Sequence, residues 1–133
     1  MLNFTSSYNL FSLITGVLLW LTAPLVFSQT KQEVYDRINH EREARGLKPV
    51  SVCKRLERSA QSWAFFMPYS LRHNVNFLKR FRRTGAECLT IGADPVDSWL
   101  KSKSHRQCIL GSSVTAMGLG HYRGKWVWRS FTN

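Results

Sequence analysis

Ala116-Met117-Gly118-Leu119-Gly120-His121-Tyr122, then Arg123-Gly124-Lys125, then Trp126-Val127-Trp128-Arg129-Ser130-Phe131-Thr132 form the stretch that decides the architecture. Two β-prone runs flank a short turn containing glycine, which is the pattern of a hairpin. Most of the chain between it and the first thirty residues reads as helix or irregular chain. Helices first and strands last, with no regular βαβ alternation, place the chain in the α+β class.

Working outward, Asp94-Pro95 opens a helix, with Asp94 as N-cap, Pro95 at its first position and Asp97 near the positive end of its dipole. Val96, Trp99 and Leu100 form its apolar face, and Ser104 is expected to cap a further turn from His105 to Leu110. Ala86 to Ile91 reads as a short strand or extended segment. Residues 69–86 read as irregular and basic, with Lys79-Arg80-Phe81-Arg82-Arg83 as the densest charge. Cys53 to Met67 is the clearest helix, because Leu56, Ala60, Trp63, Ala64 and Met67 share one stripe and Pro68 ends it. Lys31 to Arg45 is a second helix, with Val34 and Ile38 four apart and Gly46 past its end.

The 133 residues suffice for one domain and are too few for two. A hydrophobic content of 44%, with five Trp and eight Phe, supports a buried core and excludes a disordered chain. Leu10 to Phe27 is almost wholly apolar, and residues 1–28 carry no Asp, Glu, Lys or Arg. Val26-Phe27-Ser28 suits a signal-peptidase site, with Gln29 opening the mature chain, so residues 1–28 are expected to be a secretory signal peptide. An uncleaved membrane anchor is the alternative, since the run nearly spans a bilayer. The formal charge of +11 therefore falls on residues 29–133 and raises affinity for polyanions. Phe77 and Phe81 among the basic residues Lys79 to Arg83 leave two alternatives, a contact with single-stranded nucleic acid or phospholipid head groups and a solvated loop tip.

At this point the motifs resemble a known family. Asn39-x-x-Arg42-x-x-x-Gly46-Leu47-x-Pro49-Val50 resembles the opening helix and turn of the CAP superfamily, also called the SCP or cysteine-rich secretory protein family. Leu56-x-x-x-Ala60-x-x-Trp63-Ala64 resembles its second helix, and Arg72-His73-Asn74 sits where a family histidine is expected. Gly85-Ala86-Glu87-Cys88 resembles its Gly-Glu-Asn element with one residue inserted or shifted. Val96-x-x-Trp99-x-x-Ser102-x-x-His105-Arg106-x-x-Ile109-Leu110 resembles the segment carrying the second histidine. Met117-Gly118-Leu119-Gly120 and Trp126 to Phe131 resemble the closing strands, and the whole looks closest to the compact bacterial branch.

The resemblance implies a three-layer α-β-α sandwich around a short antiparallel sheet, formed by residues 29–133 as a single CAP/SCP-like domain. It implies a surface cleft lined by His73, Glu87 and His105, with Ser102 where the family carries a second acid. Two neutral imidazoles and a carboxylate can bind zinc or another divalent cation and leave a position open for water. Without metal, His and Glu can serve as a base and its orienting partner. No Ser-His-Asp order and no H-E-x-x-H spacing is present, so whether the cleft is catalytic stays open. Asp94 and Asp97 are candidates for the missing acid.

The expected product is a secreted or periplasmic binding or effector module. Its partner is a lipid, a cell-wall component or a protein; nucleic acid is not expected, and a monomer is. A metal-assisted hydrolase and a basic polyanion- or lipid-binding protein are the alternatives. Asn39 and Arg42 are expected to be structural, His40 an exposed helix residue and His121 a strand-end residue. If Glu87 and His105 converge, Cys88 and Cys108 approach one another, and either a disulfide or two buried free thiols follows, with Cys53 left over. No C-x-x-C spacing supports a zinc ribbon or thioredoxin-type site.

Overall fold

A computed structural model describes residues 28–133, so the apolar run and its expected cleavage or anchoring lie almost wholly outside the described residues. Helix α1 spans Lys31–Glu43, strand β1 Ser51–Val52, α2 Lys54–Phe66 and α3 Val75–Arg80. Strand β2 follows at Gly85–Ile91, then α4 at Pro95–Lys101, α5 at Lys103–Ile109, β3 at Val114–Tyr122 and β4 at Lys125–Thr132. The strands form one four-stranded sheet in the order β1-β3-β4-β2. β4 pairs antiparallel with both β3 and β2, whereas the two-residue β1 runs parallel to β3.

Local chemistry explains most boundaries. Thr30 and Glu33 form a reciprocal capping box at the start of α1. Asp94 accepts a hydrogen bond from the Asp97 amide, and Pro95 occupies the first turn of α4. The hairpin turns through Arg123 and Gly124 at φ +47° and +77°. Positive φ at both central residues matches the right-handed twist of the flanking strands, so Lys125 belongs to β4 rather than to the turn.

Two expectations are corrected. The segment 69–86 is not uniformly irregular, because Asn74 accepts from the Phe77 amide and starts α3. Ser104 does not cap α5; the cap position is Ser102, and Ser104 lies within the helix.

Alternation along β4 divides the core. Trp126, Trp128 and Ser130 face one layer, Val127 and Arg129 the other. On the first side α1, α4 and α5 cover Cys88, Trp99, Met117, Leu119, Trp126 and Trp128, all completely buried. Each large apolar side chain sealed there contributes about 1.5–3 kcal/mol. On the second side α2 lies almost in backbone contact with β3. A Cβ on Gly118 would meet the Glu57 amide nitrogen at 2.2 Å, and one on Gly120 would meet the Ala60 carbonyl at the same distance.

Because β1 is so short, most of the outer edge of β3 has no strand partner, and side chains take its place. Tyr35 Oη accepts from the Leu119 amide at 2.7 Å, and burial pushes that phenol up to about 12. The Gln61 amide group donates to the His121 carbonyl and accepts from the His121 amide, as a strand residue would. Asn39 does the same to Val50. Arg42, buried, donates to the carbonyls of Lys48, Ile109 and Gly111. These bonds hold α1 to the start of β1 and to the end of α5.

Candidate functional site

β2 is the free edge of the sheet opposite β1, and the expected cleft residues gather along it. Glu87 lies on the α2 side of β2, directly across the ladder from Arg129. Its Oε2 accepts from Arg129 Nε at 2.8 Å and pairs with Nη2 at 2.7 Å. Its Oε1 accepts from the Asn74 amide at 2.9 Å and from His73 Nδ1 at 2.9 Å. The Glu87 side chain is 0% exposed and the His73 side chain 47% exposed. The carboxylate is thus a buried anchor, and the imidazole is its solvent-facing outlet. With Nδ1–H directed at the carboxylate, His73 keeps Nε2 as its free edge.

Arg129 completes the network. Its Nη1 donates to the Ser59 carbonyl at 3.0 Å and to Ser59 Oγ, and its guanidinium lies 4.2 Å from the centre of the Phe77 ring. Burial pulls the guanidinium below its ordinary value, and the Glu87 carboxylate opposes that shift. A cleft of about 210 Å³ opens onto it between α2 and α3, lined in part by Ser59, Asn74, Asn76 and Arg80. Asn74 has two tasks: its side chain starts α3, and its amide fixes Glu87 beside His73.

His105 comes from α5, which packs on the other face of β2. Burial, then the charge of His73, hold its imidazole below the ordinary value. That influence runs from His73 to His105 around the sheet edge, since their segments belong to different layers. Ser102 pairs with Ser104 through their hydroxyls at 3.2 Å. Asp94 is engaged with Arg37, and Asp97 with Lys101. His40 is exposed. His121 is a half-buried strand residue stacked on Trp126, with ring centroids 4.0 Å apart.

The donor set does not fit a metal centre built on Glu87. Both carboxylate oxygens are already used, one of them by a guanidinium, and no three His, Cys, Asp or Glu among the described residues are placed to hold one ion. The cation that pairs with Glu87 is Arg129, which sequence reasoning missed. Its signal was the alternation of β4, which turns an arginine between Trp128 and Ser130 inward.

Phe77 and Phe81 are not displayed for stacking. Phe77 is buried beneath Arg129, and Phe81 packs between Phe77 and Phe131. The cations around them remain exposed: Arg72, Lys79, Arg80, Arg82 and Arg83 form no ion pair among the described residues.

The model of the CAP, or cysteine-rich secretory protein, family matches residues 35–129. The chain belongs to the CAP family. This CAP domain is similar to the Bacillus subtilis (strain 168) protein YkwD, at 27% identity over 123 residues. That match covers 80% of the chain and 48% of the relative, so the chain spans about half the length of the curated protein it matches. An extracellular SCP-domain protein of Bacillus anthracis superposes with a TM-score of 0.67 at 19% identity, covering 77% of this chain and 40% of that one. A cysteine-rich secretory protein of Staphylococcus aureus gives a TM-score of 0.66 at 21% identity, covering 76% and 37%. An outer surface protein of Borrelia burgdorferi gives 0.64 at 17% identity, covering 77% and 91%. The neighbours establish the α+β sandwich, and their names place them outside the cell or on its surface. No helix among the described residues is long and apolar enough to cross a membrane.

Proposed function

We propose that this CAP domain is an exported binding module whose cleft takes an anionic group, a phosphate or carboxylate of a cell-envelope polymer, against His73 and His105. The observation that carries the reading is the neutralised Glu87. With its oxygens given to Arg129, His73 and Asn74, the cleft offers an imidazole edge and cations but no free carboxylate. Support also comes from Lys103 and Arg106, exposed on α5 beside His105 and free of carboxylate partners among the described residues. Such a site attracts anions and lacks the second acid that hydrolytic chemistry would use.

Titration with polyglycerol phosphate and with polygalacturonate tests this and separates the phosphate arm from the carboxylate arm. Binding to at least one polymer should fall with salt, and His73→Ala and His105→Ala should each weaken it about tenfold, the worth of one charge-assisted hydrogen bond. Unchanged binding in both variants, or zinc-dependent cleavage of a peptide and ester panel that His73→Ala abolishes, would refute the proposal.

One observation favours a second contact, with an anionic lipid surface. Phe65 and Phe66 at the end of α2 and Tyr69 just beyond it are 53%, 71% and 59% exposed; Arg72 is exposed three residues on, and the exposed Arg123 accepts from the Tyr69 hydroxyl at its carbonyl. Exposed aromatic rings beside cations suit a headgroup layer. Phe65→Ser/Phe66→Ser should lower co-sedimentation with phosphatidylserine-containing vesicles several-fold and leave the fold intact. Equal binding to purely phosphatidylcholine vesicles would rule this contact out.

A further inference from the structure

The sheet edge that carries the cleft also carries a pair of thiols. Glu87 and Cys88 are neighbours on β2 and so point to opposite faces of the sheet. Cys88 is 0% exposed in the layer beneath α5, with its Sγ 4.0 Å from the His105 carbonyl. Cys108, one turn beyond His105, is half-buried against the same apolar cluster. Both thiols therefore lie at the contact between α5 and β2, and no disulfide joins them. Cys53 is remote from both. It follows β1, at the opposite edge of the sheet, and its amide is bonded to Met117.

The two sulfurs differ in access and in chemistry. Cys108 lines an open groove of about 370 Å³ together with Ala86, Ser104, Gln107 and Ser130. Ser130 Oγ is buried and has no hydrogen-bond partner there. The neighbouring Cys88 thiol lowers the Cys108 thiol to about 7, and burial pushes Cys88 well above its ordinary value. One sulfur is thus reachable from the groove and the more readily ionised, and the other is a sealed thiol behind it.

We infer that Cys88 and Cys108 form a thiol–disulfide exchange site, at which half-buried Cys108 reacts with a small-molecule disulfide and sealed Cys88 resolves the adduct. The Cys108 thiolate attacks one sulfur of R–S–S–R, forms Cys108–S–S–R and expels RS⁻. Cys88 then gives its proton to a leaving thiolate and attacks the Cys108 sulfur. The Cys88–Cys108 bond forms, and a second RS⁻ leaves. R–S–S–R is reduced by two electrons to two thiols, the dithiol is oxidised by two, and the remaining RS⁻ takes from water the proton that Cys108 released. The new bond pins α5, the helix that carries His105, to β2. The inference stands whether or not an anion occupies the cleft.

The test treats the full reduced chain with oxidised glutathione and follows it by mass spectrometry. The wild-type chain should lose two thiols and gain an internal Cys88–Cys108 crosslink, with Cys53 still open to alkylation. Its melting temperature should rise by about 10 °C, as expected for closing a loop of this length. Cys88→Ala should stop at one glutathione adduct on Cys108, and Cys108→Ala should leave Cys88 unmodified. Timed alkylation of the folded wild-type chain gives the same order without any variant: Cys108 should react well before Cys88. A crosslink that uses Cys53, a persistent wild-type adduct that never closes, or modification of Cys88 as fast as Cys108 would overturn the inference.

Discussion

Glu87→Ala is expected to lower the unfolding free energy by about 3–5 kcal/mol, the usual cost of removing one member of a buried ion pair. The Arg129 side chain is 2% exposed. Without Glu87, its charge would keep only the Ser59 oxygens and the Phe77 ring. Those partners do not carry the opposite charge, and a side chain this deeply buried gains little from the water in the adjoining cleft. The Asn74 amide would lose its acceptor as well, so the start of α3 should loosen along with the ion pair. Urea denaturation at neutral pH measures the loss. Glu87→Leu/Arg129→Met should recover much of it, because replacing both charges with apolar groups avoids leaving either one buried alone. A loss below about 1 kcal/mol in the single variant would mean that the pair is solvated and does not anchor the cleft.

Gly120→Ala is the second large effect, expected at about 3 kcal/mol. The added Cβ would stand 2.2 Å from both the carbonyl carbon and the carbonyl oxygen of Ala60. Because the collision is with backbone, no rotamer change relieves it, and α2 must lift off β3 or shift along it. Ala60→Gly should therefore give no rescue; full rescue would show that the contact is between side chains and that the layers are not in backbone contact. Gly118→Ala added to Gly120→Ala should leave no folded population, since Gly118 meets Leu56 and Glu57 in the same way. Circular dichroism during thermal melting is sufficient for both comparisons.

Features fixed by neighbouring residues were legible in the sequence, and features fixed by pairing were not. Asp94-Pro95 announces α4 because an N-cap and a first-turn proline act within four residues. The stripe from Leu56 to Met67 announces α2 because it repeats over several turns. α3 has six residues and one buried anchor, Phe77, and its periodicity is lost among arginines. β1 has two residues, and its parallel pairing depends on where β3 arrives. Arg129 was missed for a similar reason, since only the β2–β4 register brings it opposite Glu87. The cleft histidines came from family spacing, not from local chemistry. Nothing in Arg72-His73-Asn74 reveals that Asn74 both caps a helix and binds the acid that orients His73.

The tryptophans are segregated, and this shapes what light can report. Trp99, Trp126 and Trp128 are sealed in the α1/α4/α5 layer, where solvent and ligand do not reach them. Trp63 is on the other side, half-exposed, with its indole N–H donating to the Arg72 carbonyl just before His73. Among the described residues, then, one fluorophore has a bond to the chain that presents the cleft, while three emit from a dry interior. Emission at the red edge follows the neighbourhood of His73, and the blue emission follows the integrity of the opposite layer, so a single spectrum separates a local change beside His73 from unfolding.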